Sequence, residues 1–210
     1  SPWDTLTHNT VLTLVETILD QPLGNLCLER NSYINRVYEL ETRHNPTRFI
    51  VKFYRPQRWT KEMIQTEHDL LALCHQEGLP IIEPIKHNDH TIFEGEGYLF
   101  ALFPKKGGRA IDEFQLEQWE QVGRTLARLH TIAKKLNSPQ RITWTPNIAT
   151  KSHFDTLIQT QTIPNDFTQV ITTTINQFIL KASTAFQDSP IQLCHGDCHL
   201  GNWIFRPGES

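Results

Sequence analysis

Arg48-Phe49-Ile50-Val51-Lys52-Phe53-Tyr54 is the most strand-like stretch of the chain, a run of aromatic and β-branched residues with one cation set among them. Upstream, Val37 to Leu40 has the same character. Glu41 to Thr47, between the two, holds an Asn45-Pro46 breaker, so the three segments read as strand, turn and strand. Downstream, Met63, Ile64, Glu67, Leu70, Leu71 and Cys74 recur at helical spacing, with Thr60 as the cap and Gly78 and Pro80 as the stop. Ile81 to Ile85, Thr91 to Phe93 and Tyr98 to Phe103 read as further strands, the last a continuous apolar run of the kind a buried strand carries. Together they predict a small, mostly antiparallel β lobe with one helix, over residues 1–104.

After Pro104 and the Gly107-Gly108 pair the character changes. Asp112 with Gln115 gives a capping-box start, and Leu116, Trp119, Gly123, Leu126, Ala127, His130 and Ala133 mark one helix face, with His130 expected as a hydrogen-bonded core residue. A short helix is predicted over Phe154 to Ile158. A long one over Asp166 to Phe186 carries Phe167, Val170, Ile171, Thr174, Phe178 and Ala182 as its stripe. Ile191 to Cys194 and Trp203 to Phe205 read as two short strands bracketing a polar loop, with Cys194 a small buried hydrophobe. The expected class is α+β, with a second, mainly helical lobe over residues 105–210.

Composition limits what such a chain does. Its 210 residues are 38% apolar and 10% aromatic, enough for a sizeable core. Twenty basic against 23 acidic residues leave a formal charge of −3, which offers no electrostatic footprint for nucleic acid. Tyr98 to Phe103 falls far short of the ~20 apolar residues that span a bilayer, and no basic-then-apolar leader opens the sequence. Four cysteines are too sparse for a disulfide framework and fit a reducing compartment, the cytoplasm.

The loop His195-Gly196-Asp197-Cys198-His199-Leu200-Gly201-Asn202 sets an Asp and an Asn at the Asp-x4-Asn spacing of a protein-kinase catalytic loop. A carboxylate there can accept a hydroxyl proton, and an amide oxygen can hold Mg²⁺ without adding charge. The same residues also suit Asx turns around Gly196 and Gly201. Cys194, His195, Cys198 and His199 make zinc a third reading, although the rest of the chain supplies no second ligand pair of the usual spacing.

Lys52 interrupts an apolar strand, and Glu67 falls on an otherwise apolar helical stripe. Paired, they answer each other's desolvation, as do the strand Lys and helix Glu that position ATP phosphates in kinases; apart, both would snorkel to water at the lobe's rim. Before the hairpin, Asn31 to Arg36 contains no G-x-G-x-x-G, so a phosphate cradle there would use backbone N–H groups, the Ser32 hydroxyl and Arg36, and an ordinary surface turn fits equally. The end of the Tyr98 to Phe103 strand could give backbone hydrogen bonds to a base, or serve as a plain linker.

His195-Gly196-Asp197-x-His199-x-x-Asn202, with Leu126-Ala127-Arg128-Leu129-His130 and the strand Lys52, resembles the aminoglycoside-phosphotransferase-like kinase superfamily. More closely, Asn31-Ser32-Tyr33-x-Asn35-Arg36-Val37-Tyr38, Val51-Lys52-Phe53-Tyr54-Arg55-Pro56-x-Arg58-Trp59 and the 195–202 loop resemble the bacterial stress response kinase A family of serine/threonine protein kinases. The resemblance implies a two-lobed, protein-kinase-like fold and transfer of the γ-phosphate of ATP to a protein hydroxyl, or to a small-molecule hydroxyl as in the wider superfamily; a non-catalytic nucleotide-binding fragment is the further alternative. It implies Asp197 as catalytic base, Asn202 as Mg²⁺ ligand, Lys52 as phosphate-binding lysine with Glu67 its partner, Ser32 in the nucleotide loop and Phe103 at the hinge. It also implies a metal-binding aspartate soon after Asn202, on a strand paired with Trp203 to Phe205. None stands there before Arg206-Pro207-Gly208-Glu209-Ser210, so the expectation is a chain truncated at its C-terminus.

Overall fold

The computed structural model describes residues 2–109, 111–137 and 139–206, and the Pro207-Gly208 turn lies outside them. Two compact units partition the chain, one made of Ser1–Gln140 with Leu193–Ser210 and the other of Arg141–Gln192.

The first unit is organised by a five-stranded antiparallel sheet. Helix α1 (His8–Leu19) leads into β1 (Leu23–Arg30), β2 (Arg36–Thr42) and β3 (Arg48–Phe53); α2 (Lys61–Gln76) then intervenes before β4 (Phe93–Gly95) and β5 (Tyr98–Pro104). Spatial order is β1-β2-β3-β5-β4. The predicted hairpin is β2–β3, with Glu41 opposite Arg48 and Arg36 opposite Phe53. Its turn is closed by the Thr42 hydroxyl, which accepts from Thr47 N–H at 3.0 Å and donates to Asn45 O.

Side-chain alternation along these strands sorts the sheet into two faces. Tyr38, Leu40, Phe49, Val51, Phe53, Phe100 and Leu102 build the main core with Val11 and Val15 of α1. The opposite face carries a smaller cluster, Tyr54, Ile64, Ile92 and Ala101, flanked by Trp59, Leu99 and Phe103. Strand β5 contributes to both, which is why its sequence is apolar without interruption. On α2 the Thr60 hydroxyl accepts from Met63 N–H at 3.2 Å, the expected cap. Helix α3 (Leu116–Ala133) packs Leu129 and Ile132 against Cys74 and Leu79.

The second unit holds a π-helical turn (Asn147–Lys151), α4 (Ser152–Gln159) and α5 (Asn165–Phe186), the last two close to the predicted helices. A 3₁₀ turn (Leu200–Asn202) lies in the polar loop of the first unit.

Several expectations need correction. Ile81 to Ile85 is irregular because Pro80 and Pro84 remove ladder donors, and Ile85 N–H alone reaches β5, at Leu102 O, 2.7 Å. The Thr91 to Phe93 strand begins two residues later, as β4. The α3 cap is Gln115, whose N–H donates to the Gln118 side chain at 2.7 Å, one turn beyond Asp112. The buried face of α3 is Val122, Leu129, Ile132 and Ala133, while Leu116 and Trp119 are exposed and His130 is half-buried. Apolar residues lie on two faces of this helix, and packing against Cys74 and Leu79 selects one. Likewise α5 buries Ile179 and half-buries Ile171 and Ile175, leaving Phe167, Val170 and Phe178 exposed. Ile191 to Cys194 is irregular, and Cys194 is exposed rather than buried. Trp203 to Phe205 reduces to a single bridge, in which Phe205 and Arg109 exchange two backbone hydrogen bonds of 3.0 and 2.8 Å.

Candidate functional site

Lys52 sits on β3 in register with Val37 and Ala101, on the face opposite the main core. Its Nζ donates to Glu67 Oε1 of α2 at 3.1 Å and lies 4.7 Å from the centre of the Tyr54 ring. The two charged side chains are 26% and 33% exposed, so the pair is worth little as stability. Its value is positional: it fixes an ammonium group beside the Tyr54 ring.

The Asn31 to Arg36 turn adjoins the Lys52 row, since Arg36 at its end is the register partner of Phe53 and Val37 that of Lys52. Ser32 there is half-buried. Asn35 Oδ1 accepts from Arg55 N–H at 3.2 Å and so ties this turn to the chain leaving β3. Phe103, near the end of β5, is half-buried with its ring edge-on to the His68 ring at 6.1 Å.

Sequence reasoning missed two groups on this face. Glu39 of β2 is fully buried, yet three basic side chains cover its carboxylate: Arg30 in a charge-assisted bond, Lys105 at 3.0 Å and Arg48 at 3.3 Å. The Arg30 hydrogen bond, opposed by burial and helped by Lys105, holds this carboxyl down at about 2. The signal was available, because Glu39 interrupts Tyr38 and Leu40 as Lys52 interrupts Val51 and Phe53. The second group is His68, buried beside Glu67, with Nε2 3.1 Å from Tyr54 Oη and Nδ1 2.8 Å from Thr91 Oγ1. Burial holds His68 neutral, its pKa lowered to about 4.

The 195–202 loop brings Asp197 and Asn202 together. Asn202 Nδ2 donates to Asp197 O at 2.6 Å and to its carboxylate Oδ2 at 3.1 Å. Around them the loop is wound by its histidines: His195 Nδ1 accepts from Asp197 N–H, and His199 Nδ1 from Gly201 N–H at 3.1 Å. Gly196 has φ +78°, a conformation that L side chains rarely adopt, and a Cβ at Gly201 would stand 3.0 Å from the His199 ring. The backbone thus demands glycine at 196, whereas at 201 it is the His199 ring that leaves little room for a side chain. The Asp197 side chain is 76% exposed, open to an incoming hydroxyl.

Among the described residues no three His, Cys, Asp or Glu side chains gather as a metal cluster, so the cysteines and histidines of this loop do not assemble as a zinc site would. What the loop offers a cation is one carboxylate beside one amide. The amide nitrogen is turned to Asp197, which leaves the oxygen as the end suited to a hard ion such as Mg²⁺. The structure therefore assembles two constellations, Lys52 with Glu67 and Asp197 with Asn202, with Ser32 and Phe103 flanking the first.

The sequence profile of the phosphotransferase enzyme family (APH) matches residues 28–210. Stress response kinase A of Escherichia coli K12 is 34% identical over 187 residues, covering 85% of this chain and 54% of that protein. The serine/threonine protein kinase RdoA of Salmonella typhimurium LT2 is 32% identical over 186 residues, with the same coverage. The chain thus spans about half the length of the curated relatives it matches. In fold it is similar to amicoumacin kinase in complex with AMP-PNP, Ca²⁺ and Ami, with a TM-score of 0.75, 18% identity and coverage of 99% of this chain and 62% of that one. Spectinomycin phosphotransferase in complex with ADP and spectinomycin gives a TM-score of 0.62 at 14% identity, over 96% of this chain and 66% of that one.

Proposed function

The chain belongs to the phosphotransferase enzyme family, and from that premise we propose that it carries the nucleotide lobe (1–104) and the catalytic loop (195–202, in a helical lobe 105–210) of an ATP-dependent kinase whose acceptor is a serine or threonine hydroxyl of a protein. The observation that carries the reading is the Lys52–Glu67 ion pair, a strand cation held by a helix carboxylate at 3.1 Å beside the β1–β2 turn. Lys52 binds phosphate oxygens of ATP and Glu67 orients it. Backbone N–H groups of the 31–36 turn and the Ser32 hydroxyl cover the phosphates, and the backbone around Phe103 takes the base.

At the loop, Asp197 accepts the proton of the acceptor hydroxyl while its oxygen bonds to the γ-phosphorus. The bond from that phosphorus to the β,γ-bridging oxygen breaks, and ADP leaves with the electron pair. Asn202 keeps the Asp197 carboxylate in place. Its amide oxygen would hold Mg²⁺, which when bound supplies charge compensation for the phosphates. Four cysteines, too sparse for a disulfide framework, support a cytoplasmic setting.

The test is Mg²⁺-dependent transfer of label from γ-labelled ATP by the full-length protein, to itself, to casein and to an aminoglycoside. Labelled phosphoserine or phosphothreonine, abolished in Asp197→Asn, is the expected result. Transfer to the aminoglycoside alone would replace the protein acceptor by a small molecule, and no transfer to any acceptor would overturn the kinase reading.

A further inference from the structure

His68 follows Glu67 on α2, is only 2% exposed, and touches three other parts of the first unit. Its Nε2 meets Tyr54 Oη at 3.1 Å, just past β3 and two residues beyond Lys52. Its Nδ1 meets Thr91 Oγ1 at 2.8 Å, two residues before β4. Its ring stands edge-on to Phe103 of β5 at 6.1 Å. Tyr54 is itself fixed, since its N–H donates to Leu99 O at 2.9 Å and its ring lies under the Lys52 ammonium.

The surroundings are apolar, with Ile64, Ile92 and Ala101 buried and Trp59, Leu99 and Phe103 packed on them. Aliphatic contacts alone would hold a helix here, but they re-form after a small slide or rotation. Directional bonds do not, and a buried polar network that loses one member leaves the others unsatisfied. Both partners of His68 are hydroxyls that rotate to donate or accept, so either neutral tautomer satisfies both ring nitrogens. Burial keeps the imidazole neutral, which spares Lys52 a cationic neighbour. The network thus selects one position of α2, the position in which Glu67 meets Lys52.

We propose that Tyr54, His68 and Thr91 form a latch that positions α2 so that Glu67 engages Lys52. The latch itself is a property of the fold, and its use in phosphate binding rests on the phosphotransferase reading. His68 and Thr91 are positioning residues that act through the Lys52–Glu67 pair.

Amine-reactive footprinting of the full-length protein without nucleotide, read by mass spectrometry, tests this directly, because a paired ammonium reacts slowly. Tyr54→Phe and Thr91→Val, each removing one hydroxyl, should raise Lys52 labelling roughly 3- to 10-fold, the population change that one net hydrogen bond commands. Thr91→Ser, which keeps the hydroxyl, should label as the parent does. Lys105, paired with Glu39 of β2 at 3.0 Å and not with α2, should be unchanged, which separates loss of the latch from loss of the fold. In a Glu67→Gln background, where the pair is already gone, Tyr54→Phe should add nothing. Unchanged Lys52 labelling in Tyr54→Phe and Thr91→Val, or an increment that persists in full on Glu67→Gln, would overturn the latch. Should Tyr54→Phe unfold the protein and label every lysine, the Thr91→Val and Thr91→Ser pair decides. Affinity for AMP-PNP with Mg²⁺ is measured separately: failure of the parent to bind it would sink the phosphotransferase reading and leave the labelling result standing.

Discussion

Replacing Glu39 with glutamine keeps the shape of a buried side chain and removes the charge that three cations surround. A carboxyl moved from 4.5 to about 2 corresponds to roughly 3 kcal/mol of folding free energy at neutral pH. That figure is an upper bound, because Arg30, Arg48 and Lys105 are 46%, 54% and 36% exposed and water screens their share. A loss of about 1–3 kcal/mol is expected for Glu39→Gln near pH 7. The sign with pH follows from the lowered value. The folded state binds the proton less readily than the unfolded one, so the stabilisation is complete above about 4.5 and is lost as pH falls toward about 2. Urea unfolding of parent and variant, followed by tryptophan fluorescence at pH 7, 5, 4 and 3, measures both effects. The variant should have the lower midpoint at pH 7, and the two should converge through the acid range. Equal midpoints at pH 7, or a gap that stays constant down to pH 3, would refute the assignment of Glu39 as a charged, cation-held group.

Asp197→Asn should lower phosphoryl transfer by about 10²–10⁴-fold, the usual share of base catalysis, while AMP-PNP affinity measured by calorimetry stays within a few-fold. Gly196→Ala forces an L side chain into φ +78° and should cut transfer while leaving the thermal midpoint near that of the parent; full activity would show that the loop tolerates another backbone path. Thr60→Ala removes the α2 cap and should cost about 1 kcal/mol in urea unfolding, with faster amide exchange confined to the first turn of α2.

The parts of the fold legible in the sequence are those where burial and local chemistry agree. In β2, β3 and β5 the apolar positions face the core and the turn residues fit the turns, and α2 has a capping threonine at its start and glycine at its end. Helix α1 and strand β1 were not read. Threonines and β-branched residues fill His8–Leu19 and weaken its helical signal, and Gly24-Asn25 interrupts β1 where the pairing with β2 shifts register between Leu23 and Cys27. The helix faces of α3 and α5 were misassigned for another reason. Each carries two apolar stripes at helical spacing, and only a tertiary neighbour chooses between them. At the site, Lys52 and Glu67 could be paired from sequence because each is anomalous among apolar neighbours. Glu39 interrupts Tyr38 and Leu40 in the same way, but Tyr38-Glu39-Leu40-Glu41 also alternates as any half-exposed strand does, and its three cations come from β1, β3 and the residue after β5, where no helical spacing points to them.

Register explains why these charges share a surface. Partners across an antiparallel ladder point to the same side, so Arg30, Val37, Lys52 and Ala101 form one row, and Glu39, Ile50 and Phe103 the next. Glu41 and Arg48 continue the series, bonded at 3.0 Å. Arg30, Arg48 and Lys105 find their carboxylates on β2, within the sheet itself. Lys52 differs, since Glu67 belongs to a helix laid on the sheet. Among these four cations, a displacement of α2 would leave Arg30, Arg48 and Lys105 paired and change the environment of Lys52. Its ammonium would then either meet water or turn to another anion, and a nucleotide phosphate entering beside the β1–β2 turn is the anion this arrangement suits. The sheet thus provides an internally neutralised floor, and the position of one helix sets the state of Lys52, the cation to which the proposed function assigns the phosphates.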